Sequence, residues 1–591
     1  MAPAIPSAEL RLSYPLYALD FDPEDADRLL VGGGGGAARS GVGNKVSVLD
    51  VSHADALQVV SEIELSRDED SVNTLAVGPR RKNAIAFYTG INSVEDDLKK
   101  GKNEHFRVFA ADLPSKAEAT PKITELSRSA LFSTKDTEAY QRLLRISGPF
   151  GAAATGTIGR SKDAQIAIFD LAAPTSSNPA PKLRGEVELV KEAMDMDMMQ
   201  ISDDEHQLIY CDDYDIYTLI ITKKSISGPH LVFTVPHDVA TGAKDRPSFR
   251  CIRFLTPTFV LAVANLPKPG GAVLQGFRLP KISDLGKEEK EGKARLAVVT
   301  HLPKSVTRAT GLAVRNLFPP ATPSAPQDDT QFAIAVTGQD SSITLFTLEH
   351  QTLGAVNLIA NLHPVTTLKE VHLGPISGLA FSHLPPPSTK TKTPPAHLKL
   401  ASIGSMANTA IVHTLPLKPH KTHPTRPVLA LKSRAPSGTS FLVGTALFFA
   451  LIALLLQSFL EVKGYSRSVV GARSVTPVSW HRPGAYYALS TTTGIPPVVN
   501  GLWGMYNEKQ AAAGGDKVVL HHDAHLGEVG VEGHDEERHG EVKGWEELAP
   551  AQKEAWREVL EKAGHWGEQT GEAVFKGVLF GQIAGVVGAM V

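Results

Sequence analysis

Short segments that alternate apolar and polar residues, separated by turn residues, dominate the first 417 residues. Near the start these segments are PLYALDFDP, DRLLVGGGGG and NKVSVLDV, and further on TGLAVRNLF precedes QFAIAVTGQDSSITLFTL. An apolar residue at every second position predicts a strand with one buried face, and little of this region has the 3.6-residue period of a helix. The pattern predicts an all-β region of antiparallel strands.

The clearest repeat in this region is HLGPISGLAFSHL, then a Pro-rich insertion, then LKLASIGSMANTAIVHTL. A His-Gly-like opening, two strands and a turn before a third strand are typical of one blade of a WD-repeat propeller. Asp340 and Asn408 stand in the turn position of two such repeats. Weaker copies bring the total to about seven four-stranded blades. We therefore predict a seven-bladed WD-repeat β-propeller over residues 1–417.

An uncharged apolar stretch, SFLVGTALFFALIALLLQSFL, occupies positions 440–460. About 20 apolar residues cross the hydrocarbon core of a bilayer as a helix, so we predict a single transmembrane helix here. The residues before it, 418–439, are rich in Pro, Lys, His and Arg and predict a tether. Five basic residues precede the helix and three follow it, which favours a cytosolic N-terminal region and places 461–591 on the far side. The basic residues are Lys418, Lys421, Arg426, Lys432 and Arg434 before the helix, and Lys463, Arg467 and Arg473 after it.

The tail, residues 461–591, is predicted to be mixed and partly disordered. Five histidines lie among acidic residues in HHDAHLGEVGVEGHDEERHGE, a composition that could bind a divalent metal. We expect a hydrophilic segment without a fixed scaffold instead. Helical spacing predicts a helix near 546–562, and the chain after Lys576 is apolar and rich in glycine.

The composition excludes several classes of protein. There are 60 Lys and Arg against 63 Asp and Glu, so the chain lacks the basic excess of a nucleic-acid binder. Its two cysteines, Cys211 and Cys251, form no disulfide framework and cannot complete a zinc site by themselves. No G-x-S-x-G or H-E-x-x-H motif occurs, and we expect no covalent catalysis by this chain.

The run VGGGGGAARSGVGNKV at 31–46 is the most unusual segment of the chain. A phosphate-binding loop fails because Val42 stands where the lysine is required. A dinucleotide fingerprint fails because the strand KVSVLDV follows where a helix must begin. Two interpretations stay open: a loop whose carbonyl oxygens surround a monovalent cation, as in ion filters, or a flexible exposed hairpin.

The first blade, LYALDFDPEDADRLLVGGGGGAARSGVGNKVSVLDV, resembles that of the ER-membrane guanine-nucleotide exchange factors of the COPII pathway. This is the family of the yeast Sec-twelve type proteins and the prolactin regulatory element-binding protein. The resemblance covers roughly residues 10–462 and is specific in the first blade. It implies a single-pass type II membrane protein of the endoplasmic reticulum, with a cytosolic propeller and a lumenal tail.

The same resemblance implies a function. The chain would promote GDP release and GTP loading on a Sar-type small GTPase, which starts COPII coat assembly and ER–Golgi transport; COPII coat or exit-site proteins are further partners. The alternative is a membrane-anchored propeller that acts only as a protein-interaction scaffold.

The resemblance also implies roles for two loops. Backbone carbonyls of the glycine run would bind K⁺, the tip of that loop would contact the GTPase, and an acidic loop one blade along would support the contact. The residues are Gly33, Gly34, Gly35 and Gly36 for the cation, Gly41, Val42, Gly43 and Asn44 for the tip, and Asp70 and Asn73 for support. We expect Val42→Ala or Asn44→Ala to reduce exchange with little effect on stability.

Overall fold

The structure is a computed structural model of the 591-residue chain. It describes residues 5–38, 41–81, 84–113, 121–157, 163–173, 176, 178–236, 246–267, 270–287, 292–354, 356–385, 395–431, 438–466, 469–477, 480–481, 497–514, 517–523, 528–566, 575 and 577–581. The chain divides into two compact units, Met1–Ala435 and Pro436–Val591. Each unit is described by itself.

The N-terminal unit is built almost wholly of strands, as the alternating pattern predicts. They are β1 (Ser7–Arg11), β2 (Leu16–Asp22), β3 (Asp25–Gly33), β4 (Lys45–Asp50), β5 (Gln58–Glu64), β6 (Thr74–Arg81), β7 (Ala84–Gly90), β8 (Phe106–Asp112), β9 (Ile123–Ser129), β10 (Ala139–Ser147), β11 (Phe150–Thr157), β12 (Ala164–Asp170), β13 (Lys182–Leu189), β14 (Asp195–Gln200), β15 (Glu205–Cys211), β16 (Asp215–Thr222), β17 (Ile226–Thr234), β18 (Ser248–Thr256), β19 (Phe259–Asn265), β20 (Ala272–Arg278), β21 (Arg295–His301), β22 (Ala309–Asn316), β23 (Thr330–Gly338), β24 (Ile343–Leu353), β25 (Val356–Leu368), β26 (Ile376–Phe381), β27 (His397–Gly404), β28 (Thr409–Pro419) and β29 (Pro427–Leu429). A short helix, α1 (Glu95–Lys99), follows β7.

These strands form antiparallel sheets in which chain neighbours pair with each other. The described residues give sheets β2–β5, β6–β9, β10–β13, β14–β17, β18–β21 and β22–β25, and a last sheet ordered β1-β28-β27-β26, with β29 beside β28. The first strands contact one another in the order β2, β6, β10, β14, β18, β22, β26 and back to β2. Sheets arranged in a closed ring are consistent with a β-propeller.

The ring closes through strand β1, which comes from the start of the chain. It pairs antiparallel with β28, from Ser7 opposite His413 to Arg11 opposite Thr409. The last sheet therefore holds strands from both ends of the unit. This pairing covers the edge of β28 that would otherwise be open.

Apolar side chains fill the space between neighbouring sheets. Between the fifth and sixth sheets, Phe259 and Leu261 of β19 share one buried cluster with Phe332 of β23 and Phe346 of β24. Each of these side chains is at most 2% exposed. Full burial of one such side chain contributes roughly 1.5–3 kcal/mol, so packing between sheets is the main stabilising term of the ring.

A buried histidine joins three segments of the last sheet. The buried His372 ring lies 2.7 Å from the Thr409 hydroxyl and 2.8 Å from the Ser402 hydroxyl, and so joins the loop before β26 to β27 and β28. Burial lowers the pKa of His372 to about 4, which keeps the ring neutral. Asn408 has a φ of 56°, a conformation that asparagine tolerates in a turn.

The predicted boundary between propeller and tether needs correction. Residues 418–431 do not form a free linker, because β28 continues to Pro419 and β29 pairs with it. Leu429 packs in the cluster between the last two sheets, and Arg426 forms an ion pair with Glu349 of β24. The two apolar residues Val428 and Leu429 explain why this basic segment folds onto the ring.

The C-terminal unit begins with a long apolar helix. Its elements are α2 (Gly438–Val462), α3 (Ala472–Val475), α4 (Pro497–Ala512), β30 (Val518–Asp523), β31 (Glu528–Gly533), α5 (Glu536–His539), β32 (Lys543–Gly544), α6 (Pro550–Lys562) and β33 (Leu579–Phe580). The 21 residues Leu442–Val462 of α2 are long and apolar enough to cross a membrane.

The rest of this unit has a small core of its own. A sheet ordered β31-β30-β33-β32 packs with α4 and α6 around Trp545, Trp556 and Phe580. The expectation that the histidine-rich segment lacks a scaffold is therefore wrong for its described residues, which form β30, β31 and α5. The apolar stretch after Lys576 supplies β33, and residues 582–591 lie outside the described residues.

Candidate functional site

Two loops of the first sheet lie at the same end of that sheet. We call residues 34–44, between β3 and β4, the glycine loop, and residues 65–73, between β5 and β6, the adjacent loop. Strands β3 and β5 run in the same direction because each is antiparallel to β4. The sequence-predicted cation, tip and support residues, apart from Gly33 at the end of β3, therefore lie in two neighbouring loops.

Close packing explains three glycines of the run. A Cβ atom at Gly32 would lie 2.8 Å from Val72, one at Gly33 would lie 1.9 Å from the Pro15 carbonyl oxygen, and one at Gly34 would lie 2.2 Å from Asn44 Oδ1. Gly34 also has a φ of 141°. Neither the close contacts at these three positions nor the positive φ of Gly34 admits a side chain. The glycines are therefore needed for the path of the backbone itself.

Residues 34–38 and 41–44 of the glycine loop contain no helix of the kind that binds a dinucleotide. They hold only a single 3-10 turn, at Gly36–Ala38, before β4 begins. Gly33 is the last residue of β3 and pairs with Leu16 on one side and Lys45 on the other. Gly33 is thus a strand residue, and Gly34 to Gly36 are the glycines of the loop proper.

Asn44 ties the two loops together. Its side-chain Oδ1 accepts a hydrogen bond from the Gly36 amide at 2.9 Å, and its Nδ2 donates to the carbonyl oxygens of Ser66 and Glu69, both at 2.9 Å. The backbone carbonyl of Asn44 accepts a further bond from the Leu65 amide at 2.7 Å. The bond from Gly36 shapes the glycine loop itself, and the other three fix the end of that loop against the adjacent loop.

The position of Asn44 corrects the prediction made for it. The sequence resemblance put this residue at the exposed tip, but its side chain is fully buried. Gly43 is buried too, and Val42 is half-buried against the cluster around Leu16 and Phe21. Of the four predicted tip residues, only Gly41 is exposed; its φ is 79° and no atom lies within 4 Å of a Cβ built there.

The adjacent loop is anchored in turn by Glu69. Its buried carboxylate accepts hydrogen bonds from Arg107 of β8 at 2.7 Å and from Arg128 of β9 at 2.6 Å. Burial acts to raise the pKa of Glu69, but the hydrogen bonds and charges of the two arginines outweigh burial and hold that pKa below its ordinary value. The carboxylate stays charged and holds the loop on the second sheet. No pattern in the sequence marks Glu69 as an anchor, because Arg107 and Arg128 lie 38 and 59 residues away along the chain.

The predicted support residues are bonded mainly within the adjacent loop. Asp70 accepts hydrogen bonds from the Ser71 amide at 2.7 Å and from Asn73 Nδ2 at 3.1 Å. A Cβ at Gly36 would lie 3.2 Å from Asp70 Oδ1, so the two loops touch here as well. Asp70 and Asn73 are half-buried, and they shape the loop next to Gly36.

A second polar site, which sequence analysis missed, lies in the centre of the ring. A cavity of about 780 Å³ opens among the first strands of the sheets and is lined by Asp20, Arg145, Asp197, Arg253 and Arg315. Asp195 accepts hydrogen bonds from Arg145 at 3.1 Å and from the Ile252 amide at 3.0 Å, and so joins three consecutive sheets.

A carboxylate on the first sheet makes a similar connection. Asp20 accepts from the Val77 amide of the second sheet at 2.9 Å, and burial raises the pKa of Asp20 to about 6. These described contacts run between sheets and stabilise the ring.

Comparisons with known proteins give only distant likenesses. No protein-family model matches the chain, and no curated protein matches it. Among solved structures it is similar to Sqt1 of Chaetomium thermophilum at 14% identity, over 68% of this chain and 83% of that chain, with a TM-score of 0.37. It is also similar to a chain in the outer coat vertex of COPII on membranes, at 13% identity over 68% and 85%, with a TM-score of 0.36.

A third similar chain comes from the COPII coat assembled on membranes, at 13% identity over 83% of this chain and 57% of that chain, with a TM-score of 0.36. Likenesses at TM-scores below 0.5 carry no conclusion about function. The propeller assignment accordingly rests on the chain's own sheets.

Proposed function

We propose that this chain is a guanine-nucleotide exchange factor for a Sar-type small GTPase at the membrane of the endoplasmic reticulum, where it initiates COPII coat assembly. The proposal combines the resemblance of the first blade with one structural observation. That observation is the Asn44 side chain, which accepts one hydrogen bond from Gly36 within the glycine loop and donates two to the adjacent loop. A loop held in this way can act as a rigid projection.

Rigidity matters because an exchange factor works by binding energy alone. The GTPase holds GDP through its own phosphate loop, a magnesium ion and switch segments. A partner that binds the GDP-free GTPase more tightly than the GDP-bound GTPase weakens the affinity for GDP by the same factor. Each 1.4 kcal/mol of difference between the two binding free energies weakens GDP binding about tenfold. A loop already ordered before binding loses little conformational entropy on contact, so more of the interaction energy acts on the GTPase.

The structure changes which residues we expect to contact the GTPase. Gly41 is exposed and is the candidate for direct contact, with the half-buried Val42 beside it. Asn44 acts from inside by holding the loop in place. No covalent step is needed from the chain, which is a regulator and not an enzyme in this proposal.

We propose that K⁺ binds the carbonyl oxygens of Gly34, Gly35 and Gly36, the glycines that follow β3. A weakly hydrated monovalent cation suits such oxygens and would further restrict the loop. GDP release should then be faster in a potassium buffer than in a choline buffer of equal ionic strength. Equal rates in the two buffers would remove the cation from the proposal without affecting the exchange function.

The proposed setting follows from the apolar helix. We propose that α2 anchors the chain in the membrane, with the N-terminal unit in the cytosol and residues 461–591 in the lumen. A Sar-type GTPase inserts an amphipathic helix into a membrane when it is active, so loading it at the membrane surface couples exchange to recruitment.

A pair of glycine variants tests the contact. Asparagine tolerates the left-handed conformation, so Gly41→Asn, where φ is 79°, adds a side chain at an open position with little strain. We expect this variant to stimulate release of fluorescent GDP from the Sar-type GTPase at least fivefold less than the wild-type chain in detergent.

The matched control is Gly354→Asn. Gly354 is exposed, has a φ of 61°, has no atom within 4 Å of a Cβ, and lies in the turn between β24 and β25. Gly354 joins the third and fourth strands of its sheet, whereas the glycine loop joins the second and third strands of the first sheet. Successive turns of an antiparallel sheet alternate between its two ends, so Gly354 lies at the end opposite to the one that corresponds to the glycine loop. This variant should stay within twofold of wild type. Equal activity of both variants would exclude Gly41 as the contact.

A further inference from the structure

Three side chains with metal-binding atoms meet in the C-terminal unit. They are His521 of β30, Glu532 of β31 and His539 of α5, and one ligand atom from each lies within 4.8 Å of the other two. The His521 and His539 ring centroids are 5.4 Å apart. None of these residues belongs to the loops considered above.

Regular structure holds the three residues in place. Strands β30 and β31 pair antiparallel, with Val519 opposite Glu532 and His521 opposite Gly530, so His521 and Glu532 project on the same face of the hairpin. Helix α5 follows directly, and the Asp535 side chain caps its start by accepting from the Glu537 amide at 3.0 Å. The last residue of this single turn is His539.

His521 has an unused polar atom inside the protein. Its Nδ1 is buried and has no hydrogen-bond partner among the described residues. Gly530 provides the space for the ring, since a Cβ there would lie 2.5 Å from His521 Cε1. A buried imidazole nitrogen without a partner costs free energy unless a ligand uses it, and glycine opposite the ring keeps the space open.

His539 is oriented towards Glu532. The ring is 6% exposed, its Nδ1 accepts from the Asp535 amide at 3.1 Å, and its Nε2 lies 3.9 Å from Glu532 Oε2. The ring proton is therefore on Nε2. A metal ion bound at Nε2 would move that proton to Nδ1, so the His539 ring would release no proton to solvent. The Asp535 amide would then lose Nδ1 as its acceptor and move away.

We propose that His521, Glu532 and His539 form a zinc site. Two imidazole nitrogens and one carboxylate oxygen are zinc ligands, and three protein ligands leave a fourth tetrahedral position for water or a further donor. Zinc bonds of about 2.0–2.2 Å need donor atoms roughly 3.3 Å apart, so the side chains close by about 1.5 Å at most. Magnesium and calcium prefer sets made of oxygen alone and do not fit these donors.

The intrinsic fluorescence of the full-length chain can report on this site. All five tryptophans lie in the C-terminal unit, at Trp480, Trp503, Trp545, Trp556 and Trp566. After treatment with a chelator, the chain in detergent is melted with and without Zn²⁺. A ligand that binds only the folded unit raises its unfolding temperature, so we expect a zinc-dependent increase in the midpoint and one zinc retained per chain after desalting.

The variants are His521→Gln and Glu532→Gln, with His522→Gln as the matched control. His522 is the next residue of β30, so its side chain projects from the other face of the strand. We expect the first two variants to bind Zn²⁺ at least tenfold more weakly and to lose the zinc-dependent shift. The control should keep both properties, and Mg²⁺ should shift none of the four proteins.

Three results would overturn the proposal. They are equal zinc binding by His521→Gln and His522→Gln, an equal shift with Mg²⁺, or the absence of a zinc shift in the wild-type chain. If His521→Gln fails to fold, Glu532→Gln decides the question, because its side chain keeps its size and is 44% exposed.

Discussion

The side-chain amide of Asn44 makes three hydrogen bonds to backbone groups of the glycine loop and the adjacent loop. Its partners are the Gly36 amide and the carbonyl oxygens of Ser66 and Glu69. A buried polar group that loses its partner costs about 1–3 kcal/mol. The shape of the glycine loop therefore depends on a residue that no solvent reaches.

Asn44→Ala should destabilise the N-terminal unit by roughly 2–3 kcal/mol, because the Gly36 amide and two carbonyl groups lose their partner. This differs from the sequence-based expectation of little effect on stability. Denaturant unfolding followed by far-ultraviolet circular dichroism measures the change, since this unit contains no tryptophan.

Ser66→Ala is the control for that variant. Asn44 bonds the backbone carbonyl of Ser66 and not its hydroxyl, so the control should change stability by less than about 0.5 kcal/mol. A wild-type midpoint for Asn44→Ala would show that the amide does not hold the loops together.

At the scale of elements, the adjacent loop is fixed to the second sheet by the Glu69 carboxylate between Arg107 and Arg128. Its pKa is lower in the folded chain than the ordinary value of 4.5. The unfolded chain therefore binds the proton more tightly. The stabilisation is complete above the ordinary pKa and is lost as the pH falls through the folded-state pKa.

Glu69→Gln should cost on the order of 3–5 kcal/mol at pH 7, since it leaves the buried Arg107 without its charge partner. The difference from wild type should shrink as the pH falls below the ordinary value of 4.5, because the unfolded chain then takes up the proton before the folded chain does. Urea unfolding at pH 7 and pH 3.5 gives both values. The control Glu64→Gln removes an exposed pair with Arg67 and should change stability little at either pH. A pH-independent cost for Glu69→Gln would contradict this account.

The sequence predicted the elements better than the contacts between them. Alternation placed the strands around PLYALDFDP and NKVSVLDV, because period-two burial is visible within a single segment. The burial of Asn44 could not be predicted, because its partners are backbone carbonyls 22 and 25 residues away, and every residue type has a backbone carbonyl. The hairpin of β30 and β31 was missed for a different reason: its histidines and acidic residues have the composition of a hydrophilic segment.

At the scale of the whole molecule, the chain combines a ring of sheets with a C-terminal unit that begins with an apolar helix. The ring gives the glycine loop a rigid base, because β3 and β4 on either side of it are paired on both edges. The helix provides the proposed link to the membrane. The proposed exchange function would use both the ordered loop and the helix, whereas a scaffold needs no ordered glycine loop.

The most direct test of the central claim is the rate at which fluorescent GDP leaves a Sar-type GTPase when the full-length wild-type chain is added with excess GTP. We expect the rate to rise with the concentration of the chain, to at least tenfold above the rate of the GTPase alone. A rate equal to that of the GTPase alone, at concentrations where the two proteins bind, would contradict the claim and leave a membrane-anchored scaffold.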